Sequence, residues 1–206
     1  MVVFDATMLL TMIHPDCGSP IDSKTGLPID HAKARIEYLV ADLQKSKTKI
    51  GVPTPALSEA LVRVGSKRLQ FVEKFNELAV FESLPFDQLS AIEVAAMTKE
   101  ALDAGDKRAG SSEIWSKVKF DRQIVAIAKV RNATAIYTDD LGLSNTAKAH
   151  GFPVIGLADL QIPPEKAQGE LQFHPPAQKS DEAILDEIDE LRSAENAGGK
   201  EGGKEG

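Results

Sequence analysis

Apolar residues recur along this chain in two periods, and the two alternate. Val2-Val3-Phe4 is a continuous apolar run that stops at Asp5, the pattern of a short buried strand. Residues 7–13 carry it on into a helix or turn. Between His31 and Lys47, Ile36, Leu39, Val40 and Leu43 fall at i, i+3, i+4 and i+7, an amphipathic helix. Residues 49–52 read as a second strand. Thr54 then suits a helix N-cap with Pro55 at the first helical position, and Leu57, Ala60, Leu61 and Val64 form the buried stripe. Further on the pattern predicts a helix over 69–78, a short strand over 79–83, and a helix over 88–104 with Ala91, Val94, Ala95 and Leu102 on its apolar side. Phe120, Ile124, Ile127, Ala128 and Arg131 are again helically spaced, with Asn132 as the terminator. Residues 133–137 read as a buried strand, 147–151 as the end of a short helix, and 154–157 as the last strand. Strands alternating with helices imply a three-layer α/β fold with a mostly parallel central sheet.

Acids stand at the ends of these elements. Asp5 closes the first strand, Asp139 and Asp140 close the strand at 133–137, and Asp121 opens the helix before it, where the helix dipole favours an anion. Glu59 lies in the second turn of the helix after residue 53, off its apolar stripe, so periodicity alone makes it a surface residue. In an open parallel sheet, ligand sites lie just beyond the carboxyl ends of strands. Carboxylates gathered there need a compensating cation, which points to a divalent ion with oxygen ligands, Mg²⁺ or Mn²⁺.

These segments in their order resemble the PIN-domain family, of the kind found in VapC-type toxins. The matching pieces are Val2-Val3-Phe4-Asp5-Ala6-Thr7, Ser58-Glu59, Leu84-Pro85-Phe86-Asp87, Phe120-Asp121-Arg122-Gln123-Ile124 and Tyr137-Thr138-Asp139-Asp140-Leu141. The resemblance covers most of residues 1–160, with two extra loops, and rests on order and spacing. It implies a metal-dependent endoribonuclease with Asp5, Glu59, Asp121 and an aspartate after Thr138 as its acids. The family pattern of Thr, any residue, Asp selects Asp140 and leaves Asp139 as an extra metal-site acid. Asp5, Asp121 and Asp140 are the expected ligands, Glu59 binds directly or through water, and Thr138 positions water or phosphate. Ala6-Thr7 stands where many members have Thr-Asn. The implied partners are RNA, an antitoxin protein and a second copy of the chain. A non-catalytic RNA-binding or assembly module that keeps the fold, and an RNA-processing factor without an antitoxin, are the alternatives.

Charge and composition change this picture little. The net charge is -7, which by itself disfavours nucleic acid. Residues 180–206 hold nine acids against three bases, so the body carries about -1. Asp106, Lys107, Arg108, Trp115, Lys117, Lys119 and Arg122 place bases and an aromatic beside Asp121. They suit phosphate neutralisation with base stacking, or equally a solvated loop with a buried tryptophan. Residues 15–28 form a loop whose His14, Asp16, Cys17 and His31 match no zinc spacing. One cysteine and no basic leader or bilayer-length apolar run suit a reducing, cytoplasmic setting without a membrane. The domain expectation is a nuclease-like domain over 1–160, a proline-rich linker over 161–179, and an acidic amphipathic helix with a low-complexity tail over 180–206. A dehalogenase-type phosphatase wants a second acid where Thr7 stands. A receiver domain wants a lysine and a central aspartate that cannot be placed.

Overall fold

The computed structural model describes residues 1–14, 20–22, 25–108 and 110–167. Five strands form one parallel sheet: β1 (Val2–Phe4), β2 (Ile50–Pro53), β3 (Phe81–Leu84), β4 (Ile136–Tyr137) and β5 (Val154–Ile155). Their spatial order is β3-β2-β1-β4-β5, and every pairing is parallel. The helices are α1 (Ala6–Ile13), α2 (Ala32–Lys45), α3 (Thr54–Arg63), α4 (Arg68–Glu77), α5 (Gln88–Asp103), α6 (Trp115–Val130), α7 (Leu141–Ala149) and α8 (Pro164–Ala167). The compact unit runs from Met1 to Ala167, so α8 lies inside the stretch expected to be a linker. The acidic segment at 180–206 and most of the linker lie outside the described residues, as do Asp16 and Cys17.

Alternation along each strand sends side chains to two cores. Val2, Phe4, Ile50, Val52 and Tyr137 join Met8, Leu9, Ile36, Val40 and Phe71 on one face. Val3, Leu84 and Ile136 join Met97, Val125, Ile127 and Leu143 on the other. Phe4 sits at the centre of the first core, with ring centroids 5.3 Å from Tyr137 and 6.1 Å from Phe81. Gly51 admits Leu84 to the second: a Cβ there would stand 2.4 Å from Leu84 Cδ1. Strands paired on both sides and covered on both faces are apolar throughout, which is why their pattern was continuous.

Three expectations shift. Helix α6 begins at Trp115, so Asp121 lies in its second turn, beyond the reach of the terminal dipole. Pro53 caps α3, one residue before the expected Thr54. Helix α5 buries Ser90, Met97 and Ala101 and leaves Leu102 exposed, because apolar residues surround it and periodicity alone could not choose a face. Asn132 ends α6 in the left-handed region, with φ 52°. No helix among the described residues is long and apolar enough to cross a membrane.

Candidate active site

The chain leaves β1 and fills the sheet to one side with β2 and β3, then crosses back to place β4 on the other. The strand order therefore reverses at β1–β4, and the carboxyl ends of these two strands open onto a crevice. Asp5 follows β1 and caps α1, its Oδ1 accepting from Met8 N at 2.8 Å. Asp140 follows β4 and caps α7, its Oδ1 accepting from Leu143 N at 2.9 Å. Both acids are thus oriented by a helix start. Asp121 reaches the crevice from the middle of α6, and Glu59 from α3. A cleft of about 520 Å³ is lined by all four, together with Lys117, Arg63 and Phe120.

Thr138 ties two of the acids together. Its hydroxyl donates to Asp5 Oδ2 at 2.5 Å and accepts from Asp140 N at 3.0 Å. The residue is buried and its hydroxyl hydrogen is committed to Asp5, so in this arrangement Thr138 orients that carboxylate. Asp139 faces the other way: its Oδ1 accepts from Leu157 N at 2.8 Å, and it lines a separate small cavity with Gly156. Adjacent along the chain, Asp140 lines the cleft and Asp139 the small cavity behind it. Asp139 is not among the residues that line the cleft with Asp5, Asp121 and Asp140. Glu59 lines the cleft but is half-exposed and paired with Arg63 at 2.6 Å.

The electrostatics separate the carboxyls. Burial pushes Asp5 up to about 7, against the hydrogen bonds from Met8 and Thr138, with the charges of Asp139 and Asp140 adding to the rise. Burial raises Asp121 to about 6; Lys117 opposes this, and Asp140, Glu113 and Glu59 reinforce it. Asp140 goes the other way: burial works to raise it, but hydrogen bonds from Lys117 and Leu143 carry it below the usual carboxylate range. Burial likewise works to lower Lys117, and its bond to Asp140 with the surrounding negative charge leaves it raised.

Lys117 belongs to the basic cluster whose sequence left substrate binding and a solvated loop equally open. Its Nζ lies 2.6 and 2.7 Å from the Asp140 oxygens and 3.8 Å from Asp121 Oδ1. Gly142 leaves room for this cluster, since a Cβ there would stand 2.9 Å from Asp121 Oδ2 and 3.2 Å from Lys117 Nζ. The ammonium is a cation held between two acids, so the donor set suits a positive charge. These oxygen donors are also of the kind that a hard divalent ion takes. The convergence is partial: among the described residues no three acidic, histidine or cysteine groups stand close enough to enclose an ion. The Lys117 ammonium occupies the space between Asp121 and Asp140. The i,i+4 spacing of Lys117 and Asp121 was the signal in the sequence for this pair. Lys107 Nζ, Arg122 Cζ and Lys119 Nζ lie 5.5, 5.4 and 6.0 Å from the ring centroid of Trp115, which is partly buried.

The all-parallel sheet, its strand order and the acid cleft at the reversal define a PIN-like fold, as the resemblance implied. Two solved structures share it. One is VapBC2 from Rickettsia felis bound to a DNA fragment from their promoter, at 15% identity and TM-score 0.50 over 76% of this chain and 98% of that one. The other is FitAB bound to an IR36 DNA fragment, at 15% identity and TM-score 0.51 over 78% of this chain and 98% of that one. No family model matches the chain, and no curated protein does.

Proposed function

We propose that the chain is a metal-dependent endoribonuclease of the VapC-like kind, working as the toxin of a toxin–antitoxin pair. The observation that carries the reading is the gathering of Asp5, Asp121 and Asp140 in one cleft at the reversal of strand order, with two of the three carboxyls raised toward neutrality. Such perturbed acids in a cleft mark functional sites. The fold neighbours VapBC2 and FitAB support a protein partner, an antitoxin.

Asp5, Asp121 and Asp140 would hold Mg²⁺ or Mn²⁺, which supplies Lewis acidity toward a phosphodiester and lowers the pKa of a bound water. The chain's own residues do the rest. Thr138 and the α1 amide of Met8 fix both oxygens of Asp5, so that carboxylate presents one orientation. Leu143 N and the Thr138 hydroxyl fix Asp140. Lys117, once released from Asp140, is a mobile ammonium beside the cleft that neutralises a substrate phosphate. Glu59, half-exposed on the cleft wall and paired with Arg63, would accept a proton from water or support the ion through one. Burial around Asp5 and Asp121 keeps the local dielectric low.

The test is cleavage of a fluorescently labelled single-stranded RNA with Mg²⁺ or Mn²⁺. The reading predicts multiple-turnover cleavage that stops in excess EDTA and in Asp121→Asn. Undiminished cleavage in EDTA refutes metal dependence, and RNA binding without cleavage favours a non-catalytic module.

A further inference from the structure

Asp121 and Arg122 are neighbours on α6, yet they face different spaces. Asp121 looks into the acid cleft. Arg122 lines a second cavity of about 390 Å³ between α5, α6, α7 and the 105–113 loop, shared with Arg108, Ser111, Asn145 and His150. Gly142 belongs to the wall of this cavity and packs against the Asp121, Asp140 and Lys117 cluster, so the two spaces adjoin.

Arg122 is 3% exposed, and among the described residues it forms no ion pair. Its Nη2 donates to the Lys107 carbonyl at 2.7 Å and its Nη1 to Thr98 Oγ1 at 3.3 Å, both neutral acceptors. Two of the five donors of a guanidinium are thereby used. Buried charges are ordinarily paired, and a guanidinium is the fork that grips phosphate. Asp106 acts on Arg122 from the loop, but its oxygens are taken by the Arg108 and Gly110 amides at 2.9 and 2.6 Å. Glu100, also on the cavity wall, is the carboxylate that an anion has to tolerate. The remaining lining is donor-rich. The Ser111 hydroxyl accepts from Glu113 N at 3.1 Å, which leaves its hydrogen to give, and Asn145 brings an amide. His150 is held below its ordinary value first by burial and then by the positive charge of Lys129, with Arg122 adding and Glu100 and Glu93 opposing.

We propose that the cavity around Arg122 and Arg108 binds a phosphate group, seating a backbone phosphate of the strand whose neighbouring phosphate enters the acid cleft. The site rests on the nuclease reading only for the identity of that strand. Binding needs no metal, so it is measured in EDTA.

The chain has one tryptophan, and Arg122 lies 5.4 Å from its ring centroid, so intrinsic fluorescence reports the site directly. The probe is inorganic phosphate added against chloride at constant ionic strength. A saturable, phosphate-specific change is expected, with a rise in the His150 imidazole pKa followed by NMR. Arg108→Gln and Arg122→Gln should each weaken the midpoint about tenfold or more. If Arg122→Gln loses its helical circular dichroism, Arg108→Gln with an unchanged spectrum decides. A single-stranded oligonucleotide without a terminal phosphate should compete with the probe. No phosphate-specific response, or a response undiminished in both folded variants, overturns the site. Competition by a nucleoside monophosphate but not by the oligonucleotide overturns the backbone assignment. A protein that binds phosphate yet cleaves no RNA sinks the nuclease reading alone, and one that cleaves RNA without a phosphate response sinks this proposal alone.

Discussion

Replacing Asp5 by asparagine removes a charge that folding resists in the absence of a bound cation. Asp5 is 4% exposed, and burial raises its carboxyl to about 7 in the fold from an ordinary 3.8. The folded state therefore holds a proton more tightly than the unfolded chain. Between those two values it binds more protons, so stability falls as pH rises, by about 1.36 kcal/mol for each pH unit, and levels off above 7. Across the whole window this amounts to roughly 4 kcal/mol. Asparagine escapes that penalty but loses the charge-assisted bond from Thr138, worth about 1.5–3 kcal/mol; its carbonyl still caps α1. The net expectation in EDTA is that Asp5→Asn is about 1–3 kcal/mol more stable than wild type at pH 8. At pH 4 it should be equal or less stable. Asp121, raised to about 6, steepens the wild-type slope at the acid end of the same window. Urea denaturation at half-unit pH steps measures this. Parallel pH profiles for the two proteins would refute the reasoning, because they would show that Asp5 carries no folding penalty as an anion.

Three further outcomes follow from the same geometry. Asp140→Asn should lower RNA cleavage about 10²-fold or more, whereas Asp139→Ala keeps cleavage and loses about 1 kcal/mol of stability with its bond to Leu157; the reverse ranking of cleavage rates would put the cleft on the wrong side of the strand. Lys117→Met removes the ammonium between Asp121 and Asp140 and should tighten Mn²⁺ binding about fivefold, the equivalent of about 1 kcal/mol for a partly exposed pair, as read by calorimetry; weaker binding would mean that Lys117 supports the site. Gly51→Ala drives a methyl to 2.4 Å from Leu84 Cδ1 and should cost about 1–3 kcal/mol in urea denaturation with cleavage per folded molecule unchanged.

Much of the fold was readable because its causes are local. The strands at Val2–Phe4 and Ile50–Pro53 are apolar on both faces, and α2 and α3 carry clean stripes, so period and length sufficed. The face of α5 was not readable: Leu89, Ile92 and Leu102 are apolar and exposed, and only contact with α6 decides that Met97 and Ala101 turn inward. The start of α6 was placed at Asp121 because an acid suits a first turn, whereas α6 begins at Trp115 after a loop whose end no capping side chain announces. At the site, strand ends pointed to Asp5 and to the Asp139–Asp140 pair, whereas Glu59 and the choice of Asp140 over Asp139 rested on the family resemblance. The pairings were not readable. Thr138 spends its hydroxyl on Asp5, Lys117 bridges toward Asp140 across 23 positions of sequence, and Asp139 serves the loop after β5. Each of these depends on which strand lies beside which, and that is a property of the assembled sheet.

Calorimetric titration of the chelator-stripped protein with Mn²⁺ near pH 6.5 tests the central claim most directly. If Asp5, Asp121 and Asp140 jointly hold the ion, binding is saturable, is lost in Asp121→Asn, and releases protons from the raised carboxyls. The measured heat then depends on the ionisation enthalpy of the buffer. A wild-type protein that takes up no Mn²⁺ at millimolar concentration, or that binds it equally well as Asp121→Asn, contradicts the account.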